Sequence, residues 1–228
     1  MMKVSSSRVD FFKDWSKVID FNELDDVLSI LKKEYATKTI MPAMNKVFEA
    51  FKYCSRKDLK IVMLSQDPYP QYNVATGIAF ANNSKIVSPS LRILEQAAVN
   101  YTMPHNYVEF DCSLKPWESQ GILLLNSALT VELNKPGSHL NLWRKFISNF
   151  LVSLSREEIG IVYVLFGAYA QSFLPYINSN FNTVLLEKHP AYYARKGIPM
   201  PNIFRDLDKI MKDMYNTTIE WYKEIKYV

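Results

Sequence analysis

The chain has 228 residues, 48% hydrophobic and 22% charged, with a formal net charge of +4. This composition suits a folded globular protein and excludes a disordered or fibrous one, while the small positive excess permits a polyanionic partner without requiring it. Two cysteines, Cys54 and Cys112, with no CxxC spacing, argue against both a disulfide framework and a structural zinc site.

Residues 1–20 read as an amino-terminal extension without the apolar core of a signal peptide. No apolar run in the chain approaches the roughly 18 residues of a membrane span. A cytoplasmic, intracellular, monomeric protein with no membrane partner is the expectation. Phe21 to Tyr35 then carries Leu24, Val27, Leu28 and Leu31 at helical spacing, with Asn22 and Asp25 as an amino-terminal capping pattern. Ile40 to Tyr53 reads as a second helix, entered near Pro42.

Ile61-Val62-Met63-Leu64 is short, apolar and β-branched, as a buried strand is. It stops in Gln66-Asp67-Pro68-Tyr69-Pro70, where two prolines bar both ladder and helix and hold the chain as a stiff loop. Gly77 to Ala81 is a short apolar piece expected to line a pocket rather than join the sheet. Ser88 followed by Pro89 opens a helix to about Asn100, since the missing proline donor costs nothing in a first turn.

Gly121 to Asn126 is the second buried strand, His139 to Ser155 a long helix, and Ile159 to Phe166 the third strand, turning at Gly167 into a helix that reaches Ile177. Thr183 to Leu186 is the fourth strand and runs into Lys188-His189-Pro190. A last helix spans Asn202 to Tyr215, and residues 216–228 form a carboxyl-terminal tail containing Trp221, Tyr222 and Tyr227. Strands alternate with connections long enough for right-handed crossovers, so the expected fold class is α/β: a single domain with a central, mostly parallel four-stranded sheet flanked by helices.

Three of the four strands end in a polar group: Asp67 after the first, Asn126 at the second, His189 after the fourth. Parallel strands release their loops on one side, where open α/β sheets bind ligands. Each residue alone also fits an ordinary role, Asp67 in a turn, Asn126 as a cap, His189 on the surface. Together a carboxylate, an amide and an imidazole, with Phe80 as a flat face, suit cleavage at a nucleobase. GxSxG, GxGxxG and Walker motifs are all missing, against ester, hydride and nucleotide phosphate chemistry.

An ordered set of motifs resembles the family-1 uracil-DNA glycosylases. It runs Glu34-Tyr35-Ala36, Phe48-Glu49-Ala50-Phe51, Gln66-Asp67-Pro68-Tyr69, Gly77 with Phe80, Pro89-Ser90-Leu91, Gly121 to Val131, Ser138-His139 with Trp143, Gly167 to Gln171, and His189-Pro190. The resemblance implies hydrolysis of the N-glycosidic bond of a deoxyuridine flipped out of single- or double-stranded DNA, the first step of base excision repair. It implies that Asp67 supports the sugar cation and positions water, and that His189 donates to uracil O2. It further implies that Asn126 reads the base edge, Phe80 stacks on it, Gln66 adds pocket contacts and Tyr69 excludes the thymine methyl. By the same resemblance Pro89, Ser90 and Ser138 meet DNA, and a protein inhibitor can cover the DNA-binding face. Neither a metal nor an organic cofactor is implied.

The chain departs from the family pattern at Ser65, where glycine is usual, at Pro70, where histidine is usual, and in the closing segment His189-Pro190-Ala191-Tyr192-Tyr193-Ala194. Two phosphate-contacting serines become alanine there and the wedging leucine becomes Tyr193. A tyrosine is large enough to fill the gap left by a flipped base, and Arg195 can restore a phosphate contact. A working but weaker enzyme is the expectation. A glycosylase-like DNA-binding or replication-assembly protein without catalysis is the second reading, and a generic nucleotide-binding α/β protein the third.

Overall fold

The computed structural model describes residues 6–102 and 107–225. Its centre is a four-stranded, wholly parallel sheet of β1 (Ile61–Ser65), β2 (Ile122–Asn126), β3 (Val162–Phe166) and β4 (Thr183–Glu187), in the spatial order β2-β1-β3-β4. Every residue of β1, β2 and β3 is buried, which is why these segments read as unbroken apolar runs rather than alternating ones. β4 is an edge strand and only half-buried.

The helices that cover the sheet are α1 (Phe21–Thr37), α2 (Pro89–Thr102), α3 (Leu140–Glu157), α4 (Gly167–Gln171), α5 (Pro190–Lys196) and α6 (Ile203–Tyr215). The cap of α1 is Asp20, whose carboxylate accepts from the backbone N–H of Asn22 and Glu23, so the cap lies just before the expected pair. Ser88 caps α2 as the sequence implies, its hydroxyl accepting from Leu91 N. No helix of the described residues is long and apolar enough to cross a membrane.

The expected helix over Ile40–Tyr53 does not form as one piece. Ile40–Met41 pairs antiparallel with Val131–Glu132, Met44–Lys46 is a single tight turn, and only Ala50–Tyr53 is α-helical. Cross-strand pairing holds Ile40–Met41 extended, and the residue before a proline is disfavoured from the helical region in any case. The helix after β3 is likewise shorter than expected, ending at Gln171 before a separate turn at Leu174–Tyr176. A second antiparallel ribbon, Tyr107–Glu109 with Lys223–Ile225, carries no sequence signal strong enough to find it.

Residues of both expected extensions join the core. Phe12, Trp15, Val18 and Ile19 are buried, and Trp15 Nε1 donates to Cys54 O at 2.8 Å. In the tail, Trp221 is buried against Phe204 with ring centres 4.7 Å apart and receives the indole N–H of Trp117 on its carbonyl at 2.8 Å. Tyr227 lies outside the described residues.

The strand order places the site. From β1 the chain moves outward to β2, then crosses back over β1 to β3 and on to β4, so the connections diverge at the middle of the sheet. Such a switch point leaves a crevice beyond the carboxyl ends of the strands. Ser65 stands beside Asn126 and Phe166 beside Glu187 in register, so the loops bearing Asp67 and His189 start from one level.

Candidate active site

The loop after β1 is fastened before it carries any chemistry. Ser127 N donates to Ser65 O at 2.9 Å, Ala128 N to Gln66 O at 2.9 Å, and Ser127 Oγ to Gln66 O at 2.8 Å. These bonds lock the end of β1 to the end of β2. Farther along, Gly77 sits at φ +90°, and a Cβ there would lie 1.8 Å from Lys46 O. Only glycine lets the chain pass that close, and the Gly77–Ala81 segment then folds over the sheet end.

One cavity of about 440 Å³ opens there, within the roughly 300–1,000 Å³ usual for small-ligand sites. Gln66, Asp67, Tyr69, Phe80, Asn126 and His189 all line it, with Ser90 and Arg195 at its rim. Pro70 and Ala191, two of the departures from the family pattern, are also in its wall.

Asp67 is held on both oxygens. Oδ2 accepts from the backbone N–H of Gly137 at 2.5 Å and Oδ1 from Gln66 Nε2 at 3.1 Å. Burial raises its pKa above the ordinary 3.8, and the two hydrogen bonds, which favour the carboxylate, oppose that shift without cancelling it. The group is therefore oriented but poorly solvated.

His189 caps α5, its Nδ1 accepting from Ala191 N at 3.2 Å. An accepting Nδ1 puts the ring proton on Nε2, which faces Ser65 Oγ at 3.2 Å. Burial first, and the Arg195 charge second, push its pKa down to about 4. At neutral pH it is an uncharged donor. Gly167, at φ +85°, runs beneath it, where a Cβ would stand 3.0 Å from that of His189.

Asn126 is buried, and its Oδ1 has no hydrogen-bond partner among the described residues. A buried amide oxygen left unpaired costs free energy, roughly 1–3 kcal/mol, unless something else supplies a donor. Phe80 is held at φ +66°, an uncommon backbone region for a bulky residue, with its ring edge-on to Phe166 at 5.2 Å and tilted to His189 at 5.7 Å. Tyr69 is fixed by a relay: Ser88 Oγ donates to its phenol oxygen at 2.5 Å, and the phenol donates to Phe80 O at 2.9 Å. Burial is the main reason its pKa is pushed up to about 12.

Residues 51–213 match the model of the uracil DNA glycosylase superfamily. The chain belongs to the uracil-DNA glycosylase family. A uracil-DNA glycosylase of Buchnera aphidicola is 34% identical over 201 residues, covering 86% of this chain and 89% of that protein. One from Mesomycoplasma hyopneumoniae is 32% identical over 222 residues, covering 96% and 99%. Among solved structures, a mimivirus UNG variant in complex with UGI superposes with a TM-score of 0.79 at 20% identity, over 96% of this chain and 88% of that one. The UNG of Nitratifractor salsuginis gives 0.58 at 19%, over 87% and 99%. These structural likenesses concern the fold.

The DNA-facing expectations divide. Pro89 is exposed at the first turn of α2, Ser90 is buried at the cavity rim, and Arg195 is exposed with no ion pair among the described residues. Ser138 is exposed but outside the cavity wall, its Oγ accepting from Glu132 N at 2.8 Å to close the turn that offers Gly137 to Asp67. Tyr193 is a correction. Its segment is helical, and its ring points into the core with only 5% of its surface exposed. Its hydroxyl donates to Glu187 Oε1 at 2.5 Å. In this conformation no wedge is presented by that residue.

Several working contacts were not legible in the sequence. Ser65 stands out there only as a departure from glycine, yet it meets His189. Gly137 carries a turn signal in Lys135-Pro136-Gly137 but nothing that ties it to Asp67. The buried His139 bonds Thr130 Oγ1 through Nδ1 at 2.7 Å and has Glu34 Oε2 3.6 Å from Nε2, which joins two motifs that are far apart in the chain.

Proposed function

We propose that this cavity receives one deoxyuridine flipped out of DNA and hydrolyses its N-glycosidic bond, in a compartment where DNA is accessible. Cleavage of the C1′–N1 bond leaves positive charge on the sugar and negative charge on the uracil ring. Asp67 balances the first, orients the attacking water and takes its proton as the new C1′–O bond forms. His189 donates its Nε2–H to uracil O2 and so stabilises the departing anion, a role that requires the neutral ring. The depressed pKa keeps the ring neutral, and the one N–H of a neutral imidazole is too weakly acidic to be given up, so it acts as a hydrogen-bond donor.

Asn126 offers Oδ1 to the N3–H of uracil and its amide N–H to O4; with the amide held in that orientation, cytosine, whose donor and acceptor are exchanged, leaves both unpaired. Phe80 supplies the stacking face, Gln66 adds contacts to the pocket, and Tyr69 occupies the space a C5 methyl would need. The observation that carries this reading is the buried, unpartnered Asn126 Oδ1 in the same wall as an oriented carboxylate and an uncharged imidazole. The inhibitor UGI, which the mimivirus variant is solved with, is proposed to cover the same face here.

The test is a uracil-bearing oligonucleotide incubated with the full chain in EDTA, then treated with alkali to cut abasic sites. Strand scission is expected on single- and double-stranded substrates. Ala191, Ala194 and the buried Tyr193 favour the second reading, a binding module. DNA retention with no scission at high protein concentration would establish that alternative.

A further inference from the structure

A second groove of about 590 Å³ abuts the cavity and shares six residues with it: Tyr69, Pro70, Gln71, Ser90, Ala191 and Arg195. Its remaining wall is mainly apolar, formed by Val74, Ile86, Val87, Pro89 and Ala194, with Asn82, Ser84 and Ser88 as polar members. Nothing in the assigned chemistry uses it. We propose that it is a subsite for the base of one nucleotide next to the flipped deoxyuridine on the same strand. The inference rests on the glycosylase reading above.

Three features fit that occupant. The shared wall contains Arg195, exposed and without an ion pair among the described residues, and Ser90. A cation and a hydroxyl between two base-sized cavities are where the phosphodiester joining two nucleotides has to pass. The groove is therefore continuous with the substrate strand, not a separate site.

The groove is also built in advance. Asn82 Nδ2 donates to Ile86 O at 3.0 Å, Ser84 N donates to Asn82 Oδ1 at 2.6 Å, and Ile86 N donates to Ser84 Oγ at 3.2 Å. These bonds fix the loop before α2 and present Ile86 outward, 79% exposed. Holding an isoleucine in water by side-chain-to-backbone bonds makes sense if a flat apolar face is to lie on it.

Finally, those same bonds engage Asn82 and Ser84 within the loop. With those loop groups engaged, the apolar side of the groove holds a base by its face instead of reading its edge. The subsite should require a base and be tolerant of which one.

The experiment uses the full chain and short single-stranded oligonucleotides with one deoxyuridine, in which either neighbour keeps its base or is replaced by an abasic tetrahydrofuran. Binding is read by anisotropy on 2′-fluoro-deoxyuridine versions, which resist cleavage, and kcat/KM on the ordinary ones. Removing the base on one side is expected to weaken both by about tenfold, and on the other side by less than twofold. Exchanging the sensitive base among A, C, G and T should change little. In Ile86→Ser, an exposed position whose fold is checked by thermal melt, the loss and the missing-base loss should not add. Indifference to both neighbours, or an unaltered dependence in Ile86→Ser, overturns the proposal. Neighbour-dependent binding without uracil release would sink the glycosylase reading and leave the subsite standing; release without neighbour dependence does the reverse.

Discussion

The cavity rim and the aromatic cluster around Trp15 are built by opposite rules. In the cluster, Trp15 packs edge-on to Phe51 at 5.5 Å and near Phe150 at 6.1 Å, Phe51 meets Phe150 at 5.6 Å, and the one indole N–H is paired with Cys54 O. At the rim, Phe80 holds an uncommon backbone conformation, Asp67 is desolvated and Asn126 Oδ1 lacks a partner. The first region minimises local free energy. The second keeps three unfavourable features together around one space, and a binding or catalytic role is the reason a fold tolerates them.

Asp67→Asn should break the comparison most sharply. Asparagine can still accept from Gly137 N, so the loop keeps its form while the charge proposed to support the sugar cation goes. Loss of about 10³-fold or more in kcat is expected, with DNA binding nearly intact; an undiminished rate would remove the carboxylate from the mechanism. Stability should move the other way. The folded pKa lies above the unfolded value, so the stabilising protonated form is complete below the unfolded pKa and is lost as pH rises through the folded one. At neutral pH the ionised group burdens the fold, and the Asn variant should melt at the same temperature or higher. For the wild type the rate should fall as pH drops through the Asp67 window, above 3.8. Protonation of His189, depressed to about 4, adds to that loss at the acid end.

Trp15→Ala is the converse. Emptying that position should cost about 3–5 kcal/mol, typical of a large buried aromatic, while kcat of the protein that stays folded shifts only a few-fold. Urea unfolding beside a uracil-release assay separates the two effects, and a rate that collapses with stability intact would mean that the two regions are coupled.

How far each region can be read from sequence follows from the same contrast. The buried strands declare themselves because parallel strands covered on both faces are continuous apolar runs, and their polar endings at Asp67, Asn126 and His189 fall where the crevice must be. What escaped depends on partners distant in the chain: Ile40–Met41 is extended because Val131–Glu132 lies beside it, and Ser65 matters only because β4 delivers His189 to it. Tyr193 was misplaced for a related reason. Its motif position suggests a surface wedge, but Glu187, at the end of the edge strand, draws its hydroxyl inward and the segment winds into a helix.

Tyr69 sharpens the comparison at single-group resolution. Tyr69→Ala removes the ring proposed to stand beside the C5 position and should admit thymine, measured as release from a thymine-bearing oligonucleotide. Tyr69→Phe keeps the ring but cuts the relay from Ser88 to Phe80 O. It should still reject thymine, with uracil kcat/KM lower by about 3- to 30-fold if a net hydrogen bond of roughly 0.5–1.5 kcal/mol, plus the unpaired carbonyl, is the cost. Thymine release by the Phe variant would mean that the hydrogen-bond relay, not bulk, is the gate.

Arg195→Gln should give the smallest effect and the most specific one. The side chain is exposed at the rim, so melting temperature should not change, and the chemistry at Asp67 is not touched directly. If it meets a phosphate, binding weakens on every sequence alike and the slope of log K against log salt falls by about one. The same substitution removes one of the two causes depressing the pKa of His189, which should let that pKa rise toward its ordinary value, burial remaining the larger cause. A changed salt slope with unchanged kcat at neutral pH would therefore mark Arg195 as a phosphate contact. An unchanged slope with an altered acid limb would reduce its role to the field at His189.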